Sequence, residues 1–129
     1  MEQAEPSKIA RILAALAAVV LLATAAFHAT GYEPLRDAMT RSALSAFFRR
    51  SVPGIWLFFS WHLIAVASAL GWVSFRASRS ARPLLVFVAV LVCVDALFVF
   101  SLVGFFAGTA LLSAAAACTV FAAVQWPGA

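Results

Sequence analysis

The sequence predicts an all-α polytopic membrane protein: an antiparallel four-transmembrane-helix bundle with a short interfacial amphipathic helix between helices 1 and 2. The first indication is composition, since 65% of the 129 residues are hydrophobic and only 11% are charged. A soluble domain carries about 25% charged residues. The second is that the apolar residues fall into four runs of about twenty residues, which is the length that crosses a bilayer core of about 30 Å. We therefore treat residues 1–129 as a single integral membrane domain.

The first apolar run covers residues 9–29, which form roughly 31 Å of helix at the α-helical rise. The segment Gly-Tyr-Glu-Pro at 31–34 then favours a break in the helix. After it, residues 35–50 place apolar side chains at helical spacing between arginines and other polar residues. This pattern is typical of an amphipathic helix lying at the membrane surface, and the alternative is an ordinary solvated loop helix.

The other three spans are predicted at 54–75, 84–103 and 105–124. Proline is well tolerated at a helix start, so Pro53 is expected to precede the second span. The turn around residue 104 is so short that the third and fourth helices must be antiparallel neighbours.

Seven side chains suit positions at the membrane interface. Phe47 and Phe48 can enter the acyl boundary while the guanidinium groups of Arg49 and Arg50 face phosphates. Tryptophans near the ends of the second span and after the fourth resemble an aromatic belt. These tryptophans are Trp56, Trp72 and Trp126.

Loop charge predicts the orientation. Four spans put both termini on one side, with five basic residues on that side and four on the other. Three arginines, Arg76, Arg79 and Arg82, fall in one short loop on the side of the termini, and such loops stay in the cytoplasm. We predict a bacterial inner (cytoplasmic) membrane protein with both termini in the cytoplasm.

Asp95 is the strongest indication of function. It lies in the middle of an apolar run, and no other residue between Arg82 and the C-terminus carries a formal charge. A charged group at the bilayer centre costs about 3 kcal/mol on insertion scales, so such residues face a partner or a polar cavity.

Other polar residues fall at a similar depth. Counted from the outer face, His62, Asp95 and Ser113 all lie roughly 12–13 Å down, so their side chains can converge in one polar layer. The predicted ligand- or proton-binding residues are Asp95, His62, Trp61, Ser113, Thr109, Thr24 and His28.

An Asp95–His62 pair can share a proton near neutral pH, or grip a cationic or amine ligand. With His28 it could also coordinate a metal, but the depths of His28 and His62 differ by roughly a dozen Å, which argues against one shared iron. Cys93 and Cys118 lack metal-ligand spacing. The prediction is therefore no metal and no cofactor.

The leading functional hypothesis is a small membrane protein whose Asp95/His62 pocket binds or passes a small solute, ion or proton. One alternative is an accessory or structural subunit of a larger membrane complex, in which the pair only hydrogen-bonds. A second is a membrane enzyme acting on a lipid or sterol-like substrate, with the pair as acid and base. No nucleotide-binding, hydrolase or metalloprotease motif is present, so the hypothesis of an enzyme is the less favoured one.

The predicted partners are the lipid bilayer and either further copies of the chain or a partner membrane subunit. Nucleic acid is not expected, because no basic face with interleaved aromatic residues occurs outside the membrane segments.

Overall fold

The computed structural model describes residues 5–128, apart from the side chain of Arg79, and contains helices and turns but no strand in that range. The helices are α1 (Lys8–Ala29), α2 (Tyr32–Thr40), α3 (Ala46–Arg76), α4 (Arg82–Val103) and α5 (Ala107–Gln125), with a 3₁₀ turn at Arg79–Ala81. Four helical segments are long and apolar enough to cross a membrane: α1 with its continuation α2, then α3, α4 and α5. The predicted all-helical class and the four candidate spans are confirmed.

The four long helices form an up-and-down ring. α1 packs along both α3 and α5, and α5 also packs along α4, while α3 and α4 touch only sparsely. We call this loosely closed boundary the α3–α4 seam. The ring is therefore well packed on three sides and only loosely packed on the fourth.

Small side chains explain why α1 lies at the centre of the packing. The buried face of α1 consists mostly of alanine, and alanine also dominates the buried face of α5. Small residues let helix backbones approach closely, which is how helices associate in lipid. Leu63 and Leu70 of α3 and Leu21 of α1 are fully buried and fill the space between them.

The predicted interfacial helix at 35–50 differs from what the structure contains. The amphipathic segment is shorter and ends at Thr40, and residues 41–45 are not helical. The hydroxyl of Thr40 donates to the Asp37 carbonyl at 2.8 Å, and that of Ser42 donates to the Met39 carbonyl at 2.7 Å. Such local side-chain bonds compete with continuation of the helix, which explains the early end.

The second membrane helix also begins earlier than the predicted residue 54. Ser45 precedes it in an extended conformation, and α3 then runs without interruption through Pro53. Its 31 residues correspond to roughly 46 Å of helix, so its first turns extend past a hydrocarbon core of about 30 Å. Residues 47–50, predicted to lie at the interface, are therefore part of α3 and not of a separate surface helix.

The end of the bundle at which α1 begins and α5 ends is tied together by two long-range hydrogen bonds. Arg11 Nε donates to the Ser74 carbonyl at 3.1 Å, and Trp126 Nε1 donates to the Ser78 carbonyl at 2.9 Å. We call this the basic end, because Lys8, Arg11, Arg76 and Arg82 lie there. Trp126, predicted at the interface, is buried beneath the connection between α3 and α4.

Candidate functional site

His62 and Asp95 meet across the α3–α4 seam. His62 Nε2 lies 2.9 Å from Asp95 Oδ2, which is the contact expected from their matched depths. The two side chains are 26% and 15% exposed, so neither is sealed inside the bundle. The pair is therefore a direct polar link between two helices that otherwise have little contact.

Each member of the pair keeps one polar atom for another partner. Within residues 5–128, Nδ1 of His62 and Oδ1 of Asp95 make no hydrogen bond. No side-chain nitrogen or oxygen in that range is both fully buried and unpaired. The two atoms are therefore accessible: a bound molecule could donate to Asp95 Oδ1, and it could donate to or accept from His62 Nδ1 according to the imidazole tautomer.

A cavity of about 520 Å³ lies between the four long helices at the end opposite the basic end. Each of the four long helices contributes to its wall: Thr24 and His28 from α1, Phe59 from α3, Val99 from α4 and Leu112 from α5. Most of the other lining side chains are aliphatic or aromatic. Its size falls within the range of roughly 300–1,000 Å³ that is typical of sites for small molecules.

Phe59 connects the His62–Asp95 pair to this cavity. Phe59 lines the cavity, and its ring stacks on the His62 imidazole with 5.9 Å between ring centroids. On α4, the cavity-lining Val99 follows Asp95 by one helical turn. The pair consequently lies about one turn deeper in the bundle than the cavity wall.

His28 is held in the cavity wall by contacts on several sides. Its Nδ1 lies 2.9 Å from Ser60 Oγ, and its ring stacks on the Trp56 indole at 4.1 Å between centroids. Trp56 Nε1 also donates to the His28 carbonyl at 2.8 Å. Phe59 meets the His28 ring edge-on at 5.0 Å. These contacts orient the imidazole and leave Nε2 without a hydrogen bond among residues 5–128.

The two predicted threonines use their hydroxyl groups within their own helices. Thr24 donates to the Val20 carbonyl at 2.7 Å, and Thr109 donates to the Phe106 carbonyl at 2.9 Å. Both side chains are buried, and Thr24 lines the cavity. Neither hydroxyl proton is available to a ligand while these bonds persist.

Ser113 and Trp61 lie apart from the His62–Asp95 pair. Ser113 is exposed on α5, and Trp61 is 68% exposed on the outward face of α3. Of the polar side chains expected to converge from depth alone, only the His62–Asp95 pair and His28 remain as candidate site residues. Depth places a residue along a helix, but only the rotation of the helix decides which neighbour the side chain faces.

The predicted interface aromatics fall into different environments. Trp72 is exposed near the basic end, with the Arg76 guanidinium 4.6 Å from its ring centroid. The rings of Phe47 and Phe48 meet edge-on at 5.4 Å. Trp56 instead belongs to the cavity wall through its stacking on His28.

Several contributors were not among the predicted site residues, including Ser60 and the cavity-lining residues Phe59, Val99 and Leu112. Ser60 orients His28 from another helix, and Val99 forms the α4 wall of the cavity. No sequence pattern marks Ser60, because its partner lies 32 residues earlier in the chain. Val99 is one of many valines on an apolar helix, and its spacing of four residues from Asp95 is the sequence signal that separates it from the others.

The arrangement can hold a proton between an imidazole and a carboxyl group and can offer donors and acceptors to a bound molecule. Within residues 5–128, no group of three His, Cys, Asp or Glu side chains is placed to hold a metal ion. Comparison of the chain with protein-family models, curated proteins and solved structures finds no match. The functional argument therefore depends on the geometry of the site.

Proposed function

We propose that this chain is an integral membrane protein that binds a small, mostly apolar molecule between its helices. The supporting observation is the cavity of about 520 Å³, which lies one helical turn from Asp95, the only side-chain carboxyl group on α1, α3, α4 and α5. His28 and the His62–Asp95 pair would supply the polar contacts.

The distribution of polar atoms suggests what the ligand looks like. An apolar body would contact Phe59, Val99 and Leu112, as ligands do in sites with mostly hydrophobic walls and few polar points. One polar group would reach His28 Nε2 or the free atoms of the pair. Because Asp95 is a carboxyl group, an amine or another hydrogen-bond donor is the preferred polar group.

The α3–α4 seam would be the route of access. Phe98 and Leu102 line the cavity on the α4 side, and both are largely exposed on the outside of the bundle. Because α3 and α4 touch only sparsely, the cavity is already partly open between these side chains and would face the acyl chains there. The ligand would accordingly come from the lipid phase.

The proposal includes a bacterial inner membrane location with cytoplasmic termini and assembly of more than one copy. For assembly, α4 offers the most exposed surface. Of its most apolar 18-residue stretch, 17% is buried inside the bundle, against 44% for α5. A second copy or another membrane subunit would have room to pack on that outer face.

Photolabelling tests the ligand site. The purified protein in lipid nanodiscs is irradiated with a short alkylamine carrying a diazirine, and labelled residues are mapped by mass spectrometry. We expect adducts concentrated on cavity residues such as Phe59 and Val99. Val99→Trp should remove most of this labelling by filling the cavity, whereas Phe100→Trp, which places the same ring on the neighbouring residue outside the cavity wall, should retain it.

The same experiment distinguishes the role of the pair. With the matching alcohol as probe, Asp95→Asn should change labelling little, but with the amine it should lower labelling about tenfold through loss of charge. Adducts spread evenly over the outer faces of all helices would overturn the proposal, as would equal labelling in Val99→Trp and Phe100→Trp.

A proton pathway is the second candidate, favoured by the direct His62–Asp95 contact with one accessible atom on each partner. The ring of Phe59 lies between His62 and His28, so these residues form no continuous hydrogen-bonded chain. In proteoliposomes containing a pH-sensitive dye, a proton flux that Asp95→Asn abolishes would support the pathway. Equal flux in the variant and in protein-free vesicles would reject it.

A further inference from the structure

A second concave surface lies far from the cavity, between α1 and α3 at the basic end. This groove has a volume of about 520 Å³. Lys8 and Arg11 line its rim, Ile12 and Val19 extend its wall along α1, and Phe75 closes it on α3. Neither the His62–Asp95 pair nor His28 contributes to it, so a ligand here would be independent of the proposed function.

The groove exists because the residues at its floor are small. Gly71, Ala15 and Ala18 line it, and a Cβ atom placed on Gly71 would meet nothing within 4 Å. A larger side chain could therefore fit at residue 71 without a clash. The packing of α1 on α3 does not require glycine there, and the space remains open on the outer surface of the bundle.

Positive charge is concentrated at one end of the groove. Lys8 and Arg11 are three residues apart on α1, so they share a helix face, and both side chains are exposed. Arg11 Nε donates to the Ser74 carbonyl at 3.1 Å, which orients the guanidinium group at the rim. Within residues 5–128, neither cation forms a salt bridge, so their charges are not neutralised by a described carboxylate.

The length of the groove matches one leaflet of a bilayer. From Lys8 to Val19 the helix rises roughly 16 Å, and half of a hydrocarbon core of about 30 Å is about 15 Å. A cationic rim followed by an apolar channel of this length has the form of a phospholipid: a charged headgroup and an acyl chain.

We infer that this groove binds an anionic phospholipid, with its phosphate on Lys8 and Arg11 and one acyl chain along Ala15, Ala18 and Gly71. Anionic headgroups are favoured over zwitterionic ones because Arg76 and Arg82 add positive charge at the same end. The site lies on the outer surface, where it is in direct contact with the bilayer.

Native mass spectrometry of the full chain, released from nanodiscs of equal phosphatidylglycerol and phosphatidylcholine, tests this inference. We expect phosphatidylglycerol to be retained preferentially. The double variant Lys8→Gln/Arg11→Gln should lower that retention about tenfold. The control Arg49→Gln/Arg50→Gln removes two exposed positive charges from the opposite end of the bundle and should leave retention unchanged.

The acyl part of the site is tested by filling the groove. Gly71→Leu should displace the lipid, whereas Gly54→Leu on the same helix, also open within 4 Å, should not. If Gly71→Leu does not fold by circular dichroism, Ala15→Leu places the same side chain in the groove.

Three results would overturn the inference. They are unchanged phosphatidylglycerol retention in the groove-filling variants, equal losses in both double variants, and displacement of the lipid by millimolar glycerol phosphate, which would indicate a site for small anions without chain contacts. None of these results depends on photolabelling in the cavity, so the two proposals can fail separately.

Discussion

At the scale of single residues, one contact provides the intramembrane carboxyl group with a hydrogen-bond partner. Asp95 is satisfied by His62 at 2.9 Å and keeps a second oxygen accessible. Polar groups in hydrocarbon need partners. His28, the other intramembrane imidazole, is instead oriented by Ser60 and Trp56. The two histidines therefore have different surroundings. We expect substitution of Asp95 to change the hydrogen bonding of His62 and to leave that of His28 unchanged.

The close approach of Gly31 to Trp56 provides a test of how firmly His28 is held. A Cβ atom on Gly31 would lie 2.6 Å from Trp56 Cζ2, so Gly31→Ala must displace the indole that stacks on His28. Overpacking of this kind typically costs about 1–3 kcal/mol. We expect a lower unfolding temperature, measured by circular dichroism in detergent, and weaker photolabelling of the cavity.

Gly54→Ala is the matched control, because a Cβ there meets nothing within 4 Å inside helix α3. It should leave stability unchanged or raise it by about 0.5–1 kcal/mol, since alanine is the better helix former. A Gly31→Ala protein as stable as Gly54→Ala would show that the indole adapts without loss, and that His28 is not tightly positioned.

At the scale of helices, the α3–α4 seam combines a polar link with sparse packing. The helices are joined there mainly through His62 and Asp95, whereas the α1–α3 and α1–α5 boundaries are packed through alanine and leucine. A boundary of this kind can open without disturbing the rest of the core. The same sparse packing that would make the seam a route of access would also make the His62–Asp95 pair important for holding the two helices together.

Substitution of Asp95 measures the strength of this link. Asn can keep a hydrogen bond to the imidazole, so Asp95→Asn should cost less than about 0.5 kcal/mol, while Asp95→Leu should cost about 1 kcal/mol. Reversible unfolding of the protein in mixed micelles gives both values. Val94→Leu, one residue away on the outer face of α4, controls for added side-chain volume.

If Asp95→Leu were as stable as the wild type, the pair would not hold the seam closed. The His62–Asp95 contact would then have to be explained by ligand or proton binding alone. Stability lost equally in Asp95→Asn and Asp95→Leu would instead show that the negative charge, and not the hydrogen bond, joins the two helices.

At the scale of the whole molecule, the orientation that we predict rests on the charge of the loops and not on the bundle. The basic end carries the α3–α4 connection, and the opposite end carries the cavity together with the α1–α3 and α4–α5 connections. Short arginine-rich loops remain in the cytoplasm. The cavity would consequently lie in the outer half of the membrane, and the groove at Lys8 and Arg11 in the cytoplasmic leaflet.

Cysteine labelling tests this orientation. In a background in which Cys93 and Cys118 are alanine, Ser45→Cys and Ser80→Cys place single thiols at opposite ends of the bundle. A membrane-impermeant maleimide should label Ser45→Cys in intact cells but Ser80→Cys only after permeabilisation. The reverse pattern would invert the orientation, and labelling of both thiols in intact cells would contradict the arrangement of four spans.

The sequence by itself determined the class, the approximate spans and the depth of the polar residues. An apolar stretch predicts a membrane span when it is long enough to cross the bilayer. Because the helical rise per residue is constant, residue number then gives the depth of each side chain. Those two relations were enough to place His62 and Asp95 at the same depth, although they placed Ser113 there as well. They also identified Asp95 as exceptional, because it interrupts an otherwise apolar run.

Tertiary structure alone decided which helices are neighbours and where each side chain points. In these spans both the lipid-facing and the buried faces are apolar, so periodicity does not reveal the rotation of a helix. The packing of alanine faces around α1 sets that rotation. It directs Ser113 and Trp61 outward, brings Ser60 to His28, and leaves the cavity and the groove where α1, α3, α4 and α5 do not fill the space between them.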